Sequence, residues 1–195
     1  METHFRFVAL AVLPIAMACS SALAQSTTAR PSGSEATGTS KPAAGAKLAD
    51  ADRQFVEKAT AGGTAEVEMG KLAQQKAASD QVKQFGARMV QDHSKSNEEL
   101  KQLAQAKGVA VPAAPNKSHQ GDMEKLSKLS GAEFDRQYMA HMVSDHRKTV
   151  AEFKKASESA KDGEVKTFAG KTLPTLQQHL SQAQSINDGV KSASK

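Results

Sequence analysis

In four stretches of the sequence, small and apolar residues return every third or fourth position, and no run alternates as a strand would. That period belongs to helices which each bury one face. The first stretch, Asp52 to Ala77, carries Phe55, Ala59, Gly62, Glu66, Gly70, Ala73 and Ala77, a face of mostly small side chains that lets a neighbouring helix come close. The second follows the N-cap residue Ser79 and carries Val82, Phe85, Met89, His93, Leu100 and Leu103 before Gly108 ends it. A third is expected to begin at Gly131, because Ser130 and Glu133 have capping-box spacing and Leu129 and Phe134 stand in staple positions. Its arc holds Phe134, Tyr138, Met139, Met142, His146, Val150 and Phe153. After Asp162-Gly163 the fourth takes Val165, Phe168, Ala169, Leu173, Leu176, Leu180 and Ala183. Pro174 is expected to kink or restart it, and His179 lies beside the stripe.

The long connection lies between the second and third helices. Gly108 to Lys117 contains Pro112 and Pro115 and is expected to be extended, and a short amphipathic piece with Met123, Leu126 and Leu129 follows. Ten extended residues reach about 33 Å, close to the roughly 40 Å of each long helix, so this segment can run the length of a bundle. The expected fold is all-α: a ferritin-like four-helix bundle with its long crossover between the second and third helices, which are then parallel. The competing topology is a plain up-down bundle with the short helix as decoration.

Arg6, the apolar run Phe7 to Ala18, and Ala22-Leu23-Ala24 before Gln25 read as an export signal over residues 1–24. The run is too short to span a bilayer as an anchor. Cleavage near Ala24 implies a periplasmic or secreted protein; a lipid anchor at Cys19 is the alternative address. Residues 25–47, rich in Ser, Thr, Gly, Ala and Pro, are expected to be a disordered leader, residues 48–190 the bundle, and 191–195 a tail. Cys19 is the only cysteine, so the mature chain has no disulfide or thiolate chemistry. The net charge of +5 is interleaved with acids, and aromatic residues are 4%, which does not make a nucleic-acid footprint. Weak attraction to anionic envelope surfaces is the partner class the charge allows, and no oligomeric state is encoded legibly.

One pentapeptide recurs. Met89-Val90-Gln91-Asp92-His93 returns as Met142-Val143-Ser144-Asp145-His146, and residues four apart share a helix face. Met89 with His93, and Met142 with His146, therefore each set a thioether beside an imidazole, both of them ligands for transition metals. Parallel second and third helices would bring the two pairs to one level, with Glu66 as the third ligand; His141 and His179 are weaker candidates. Thioether with imidazole suits copper, and a carboxylate admits iron, manganese or zinc. The bland reading makes the histidines half-buried and hydrogen-bonded to a neighbouring helix, with Glu66 among the partners, and makes the methionines core fillers. Asp92 with Arg88, and Asp145 with His141, read as surface ion pairs, and His119 as solvated. No nucleophile elbow or phosphate loop stands out, so any enzymatic activity would rest on the metal. Three classes remain: a metal-binding envelope protein, a metal-dependent redox enzyme, and a structural or stress-related bundle without metal.

Asp52-Arg53-Gln54-Phe55, Ala65-Glu66, Lys83-Gln84-Phe85, Met89-Val90 with Asp92-His93, Leu129-Ser130-Gly131 with Phe134-Asp135 and Tyr138, Met142-Val143 with His146, and Leu173-Pro174 with His179-Leu180 occur in this order. Together with the export signal, this set resembles domain of unknown function 4142, over about Asp50 to Ile186. The resemblance implies a bacterial exported protein of the ferritin-like superfamily, a family often labelled as outer-membrane, and assigns no activity. Di-iron members of that superfamily use Glu-x-x-His on two helices. This chain has no such motif, which argues against iron oxidation and oxygen activation.

Overall fold

The computed structural model describes residues 47–193. The export signal and nearly all of the leader lie outside the described residues. Five helices follow one another: α1 (Asp50–Lys76), α2 (Asp80–Ala106), α3 (Lys117–Ser127), α4 (Gly131–Ser159) and α5 (Gly163–Ser192). Short turns make α1 with α2, and α4 with α5, antiparallel hairpins, and α3 belongs to the crossover between them.

Two buried aspartates fix how the hairpins meet. Asp135, in the second turn of α4, accepts hydrogen bonds from the backbone N–H groups of Ala78 (3.2 Å) and Ser79 (2.9 Å) in the α1–α2 turn. Asp52, in the first turn of α1, accepts from those of Lys161 (2.9 Å) and Asp162 (2.7 Å) in the α4–α5 turn. Each hairpin thus supplies the carboxylate that satisfies the orphan donors of the other's turn. The starts of α2 and α4 lie at one end and the starts of α1 and α5 at the other, so α2 and α4 run parallel. That is the ferritin-like topology with one long crossover.

The core falls into two apolar clusters. Met69, Phe85, Met89, Phe134, Tyr138 and Met142 fill the end near Asp135. Val56, Leu100, Phe153, Val165, Phe168 and Leu176 fill the end near Asp52. The small face expected on α1 is there, and its closest use is at Gly70. A Cβ on Gly70 would stand 2.6 Å from the Gly86 carbonyl oxygen, and one on Gly86 would stand 2.6 Å from the Ala73 Cβ. We expect Gly86→Ala to lower stability by about 1–2 kcal/mol. The overpacking penalty of about 1–3 kcal/mol outweighs the roughly 1 kcal/mol gained in helix propensity. A variant with a urea midpoint at or above that of the parent would show that α1 and α2 can separate freely.

Three expectations need correcting. The buried arc of α1 is wider than the stripe read from the sequence: Val56, Ala65 and Met69 are fully buried, whereas Phe55 and Ala59 are only partly so. The helix packs against α2, α3 and α4 rather than one neighbour. Gly131 does open α4, with a left-handed φ of 63°, yet Ser130 makes no side-chain cap, and the Glu133 carboxylate pairs with Arg136 instead of reaching back. Finally, α5 runs unbroken through Pro174, so the proline does not restart the helix.

Candidate metal centre

Between the two apolar clusters lies a layer of polar side chains. Glu66, His93, His146 and His179 are all buried, and they come one from each long helix. Because α2 and α4 are parallel and start at the same end, His93 and His146 fall at the same height. The imidazoles form a nearly equilateral triangle, with ring centroids 5.8 Å apart for His93–His146 and 5.5 Å for each of the other two pairs. One ring nitrogen from each lies within 4.8 Å of the other two. Glu66 Oε1 stands 3.8 Å from His146 Nδ1.

The outward nitrogens are engaged in a way that sets the tautomers. His146 Nδ1 is 3.1 Å from the Met142 carbonyl oxygen one turn back, which only an N–H can satisfy. His179 Nε2 is 2.8 Å from Asp92 Oδ2, and the same carboxylate takes the Arg88 Nε at 3.2 Å. Asp92 is therefore a brace for His179 as well as half of a surface ion pair. With those protons placed outward, the lone pairs of His146 Nε2 and His179 Nδ1 are left over. These two atoms and His93 Nε2 are buried and have no hydrogen-bond partner in the protein, while Glu66 has the Asp145 carboxyl as its neighbour and hydrogen-bond partner. An unsatisfied buried polar atom costs about 1–3 kcal/mol, so three ring nitrogens at one level call for a partner such as water or an ion. A carboxylate or carbonyl behind an imidazole whose far nitrogen is free is the usual outer support of a metal-bound histidine.

Electrostatics keep the rings neutral. Burial pushes His93 well below the ordinary histidine range, helped by the neighbouring His146 and His179. Burial likewise lowers His146, to about 4, against the opposing pull of Asp145. It lowers His179 against the Asp92 hydrogen bond, which pulls the other way and to which a neutral ring still donates from Nε2. Burial first, and the charge of Asp145 second, raise Glu66 well above the carboxylate range. The layer thus favours three neutral imidazoles and a Glu66 carboxyl that resists ionising.

The structure brings Glu66, His93 and His146 to one level and adds His179 as the third corner of the triangle. From the sequence His179 is only a weaker candidate, yet it lies three residues after Leu176 and four before Ala183, both buried, which puts it on the inner face of α5. Met89 and Met142 are fully buried one turn from the histidines, in the cluster with Phe85 and Tyr138. His141 is outside the triangle but lines the same cavity, about 500 Å³ in volume, which reaches the three histidines. His119, expected to be solvated, is half-buried and lines that cavity too. Its ring packs beside Gly62: a Cβ there would stand in ordinary contact, 3.9 Å from His119 Cε1.

Solved structures share this fold at low sequence identity. A DUF305 fragment from Deinococcus radiodurans matches with a TM-score of 0.65 and 13% identity, covering 73% of this chain and 98% of that one. A DUF305 protein from Streptomyces coelicolor gives 0.62 and 17%, over 72% and 94%. CopM in its Cu(II)-bound form gives 0.61 and 19%, over 71% and 96%. No curated protein matches the sequence. The family model described as domain of unknown function DUF4142 matches residues 37–186, and the chain belongs to that family.

Proposed function

We propose that this protein is an exported helical bundle that holds one transition-metal ion among His93, His146 and His179, with Glu66 as the further donor beside them. The observation that carries the reading is that the three histidines each bring a ring nitrogen within 4.8 Å of the others, and each has a buried ring nitrogen without a partner in the protein. Three neutral imidazoles suit copper, zinc or iron rather than magnesium or calcium, and Met89 and Met142 offer thioether sulfur if the ion is copper. The Cu(II)-bound state of CopM, a protein of the same fold, agrees with the reading. Export rests on the sequence: cleavage near Ala24, a leader to about residue 47, and a periplasmic or secreted destination. No helix among the described residues is long and apolar enough to cross a membrane.

The cavity beside the triangle favours a second reading, metal-dependent chemistry, because three protein ligands leave a coordination position open. A structural bundle is what remains if no ion binds. Calorimetric titration with Cu(II), Cu(I), Zn(II) and Fe(II) decides between metal and no metal. One tight equivalent is expected, and its loss in the His93→Ala/His146→Ala double variant; tight binding that survives in that variant sinks the proposal.

The pH dependence has a definite sign. Protons compete for the ring nitrogens, and since His146 is lowered to about 4, ring competition sets in only as pH falls towards that value. An exposed histidine site would weaken already from about 6.5. Weakening at higher pH reports Glu66, whose proton the ion must displace, and Glu66→Gln should abolish that part. Without metal, the unfolded chain takes up protons that the folded rings refuse. The stability these histidines provide is therefore present above about 6.5 and lost as pH falls below it. Titrations and urea midpoints at a series of pH values check both.

A further inference from the structure

Outside the histidine triangle, the seam between the crossover helix and α4 gathers a second set of donors. His119 and Asp122 are three apart on α3, and His141 and Asp145 are four apart on α4, so each helix presents an imidazole and a carboxyl on one face. All four line the cavity that also reaches the triangle. His119 Nδ1 and His141 Nε2 are buried and have no partner in the protein. The Asp145 and Asp122 carboxyls act on the His141 ring in one direction, and His119 and Lys148 in the other. Asp122 is otherwise engaged only by Lys125, at 3.4 Å and with the lysine side chain 80% exposed, a contact of little strength. Glu66 joins the two sets. It lies one turn along α1 from Gly62, beside which His119 packs, it is close enough to feel the charge of Asp145, and its Oε1 is 3.8 Å from His146.

We propose that His119, Asp122, His141 and Asp145 form a second transition-metal site, weaker than the buried one and facing the mouth of the same cavity. Two imidazoles and two carboxylates suit zinc or Cu(II). The site is weaker because its histidines are partly exposed and no three of its donors lie within 4.8 Å of one another as the buried rings do, so these side chains must turn to close on an ion. It gives the crossover helix a chemical role, since without α3 only the α4 half of the set exists. The inference rests on the metal-binding reading of the bundle, but it can fail alone.

The test is equilibrium dialysis of the purified protein against Cu(II) at pH 7.5, with electron paramagnetic resonance of the bound ion. Two equivalents with distinct spectra are expected in the parent. The His119→Ala/His141→Ala variant should retain the tight equivalent, which also shows that it is folded, and lose at least about tenfold in affinity for the weaker one. Asp122→Asn should weaken the same equivalent. In His93→Ala/His146→Ala the weaker equivalent should remain and the tight one disappear. A parent that takes up one equivalent only, or a second equivalent indifferent to His119 and His141, overturns this site and leaves the buried centre standing. A parent that takes up none overturns both.

Discussion

His179→Ala is expected to lower the affinity of the tight site for Cu(II) or Zn(II) by more than about 100-fold at pH 7.5. Removing only the outer support of a metal-bound histidine typically costs 10–100-fold, and here a corner of the triangle itself is removed. Asp92→Asn gives the graded comparison. It keeps the shape of the brace but takes away the charge behind His179 Nε2, and its loss should fall within about 10–100-fold. His119→Ala should leave the tight affinity untouched. Titration of the three variants side by side checks the order, and a His179→Ala protein that binds as its parent does would move the centre away from this triangle.

Asp135→Ala should cost about 3 kcal/mol of folding stability. Its carboxylate is the acceptor for two backbone N–H groups of the α1–α2 turn, bonds to a charged group are worth about 1.5–3 kcal/mol, and Ser79 supplies no cap of its own. Asp135→Asn, which keeps one acceptor oxygen, should lie between parent and alanine variant. Asp52→Ala should behave alike at the opposite end, where it removes the acceptor of Lys161 and Asp162. Urea midpoints measure all three. Losses below about 0.5 kcal/mol in both alanine variants would mean that water replaces the carboxylates and that the hairpins are held together by apolar packing alone.

The helices and their order were legible because the apolar period and the turn residues agree along most of the chain. The parallel course of α2 and α4 was legible from the length of the proline-containing connection. His93, His146 and Glu66 stood out because a repeated pentapeptide and a lone carboxylate on a small-residue face are visible in one dimension. His179 did not, because it has no neighbouring methionine and Pro174 made its direction along α5 uncertain. The bracing role of Asp92 was hidden for a different reason: its partner lies 87 residues away in the chain, while a satisfactory local one, Arg88, is four residues back. The two inter-hairpin aspartates also had a signal, since Asp52-Arg53-Gln54-Phe55 and Asp135-Arg136-Gln137-Tyr138 are near copies. Local rules gave the starts of α2 and α4 to serine caps; at α2 the distant Asp135 carboxylate takes that place, and at α4 Glu133 is drawn to Arg136.

The aspartates that join each hairpin to the other's turn act as hoops at the two rims of a barrel, and the waist between them is the layer where apolar packing is interrupted. Opening a rim means breaking bonds to a charged acceptor and exposing a packed cluster, whereas parting the waist sacrifices little apolar contact. Local fluctuation follows the cheaper course. An ion held at that layer, as proposed, would exchange sideways through the waist while both rims stay shut, and the lifetime of the bound state would then be set by a local gap and be separable from the lifetime of the fold.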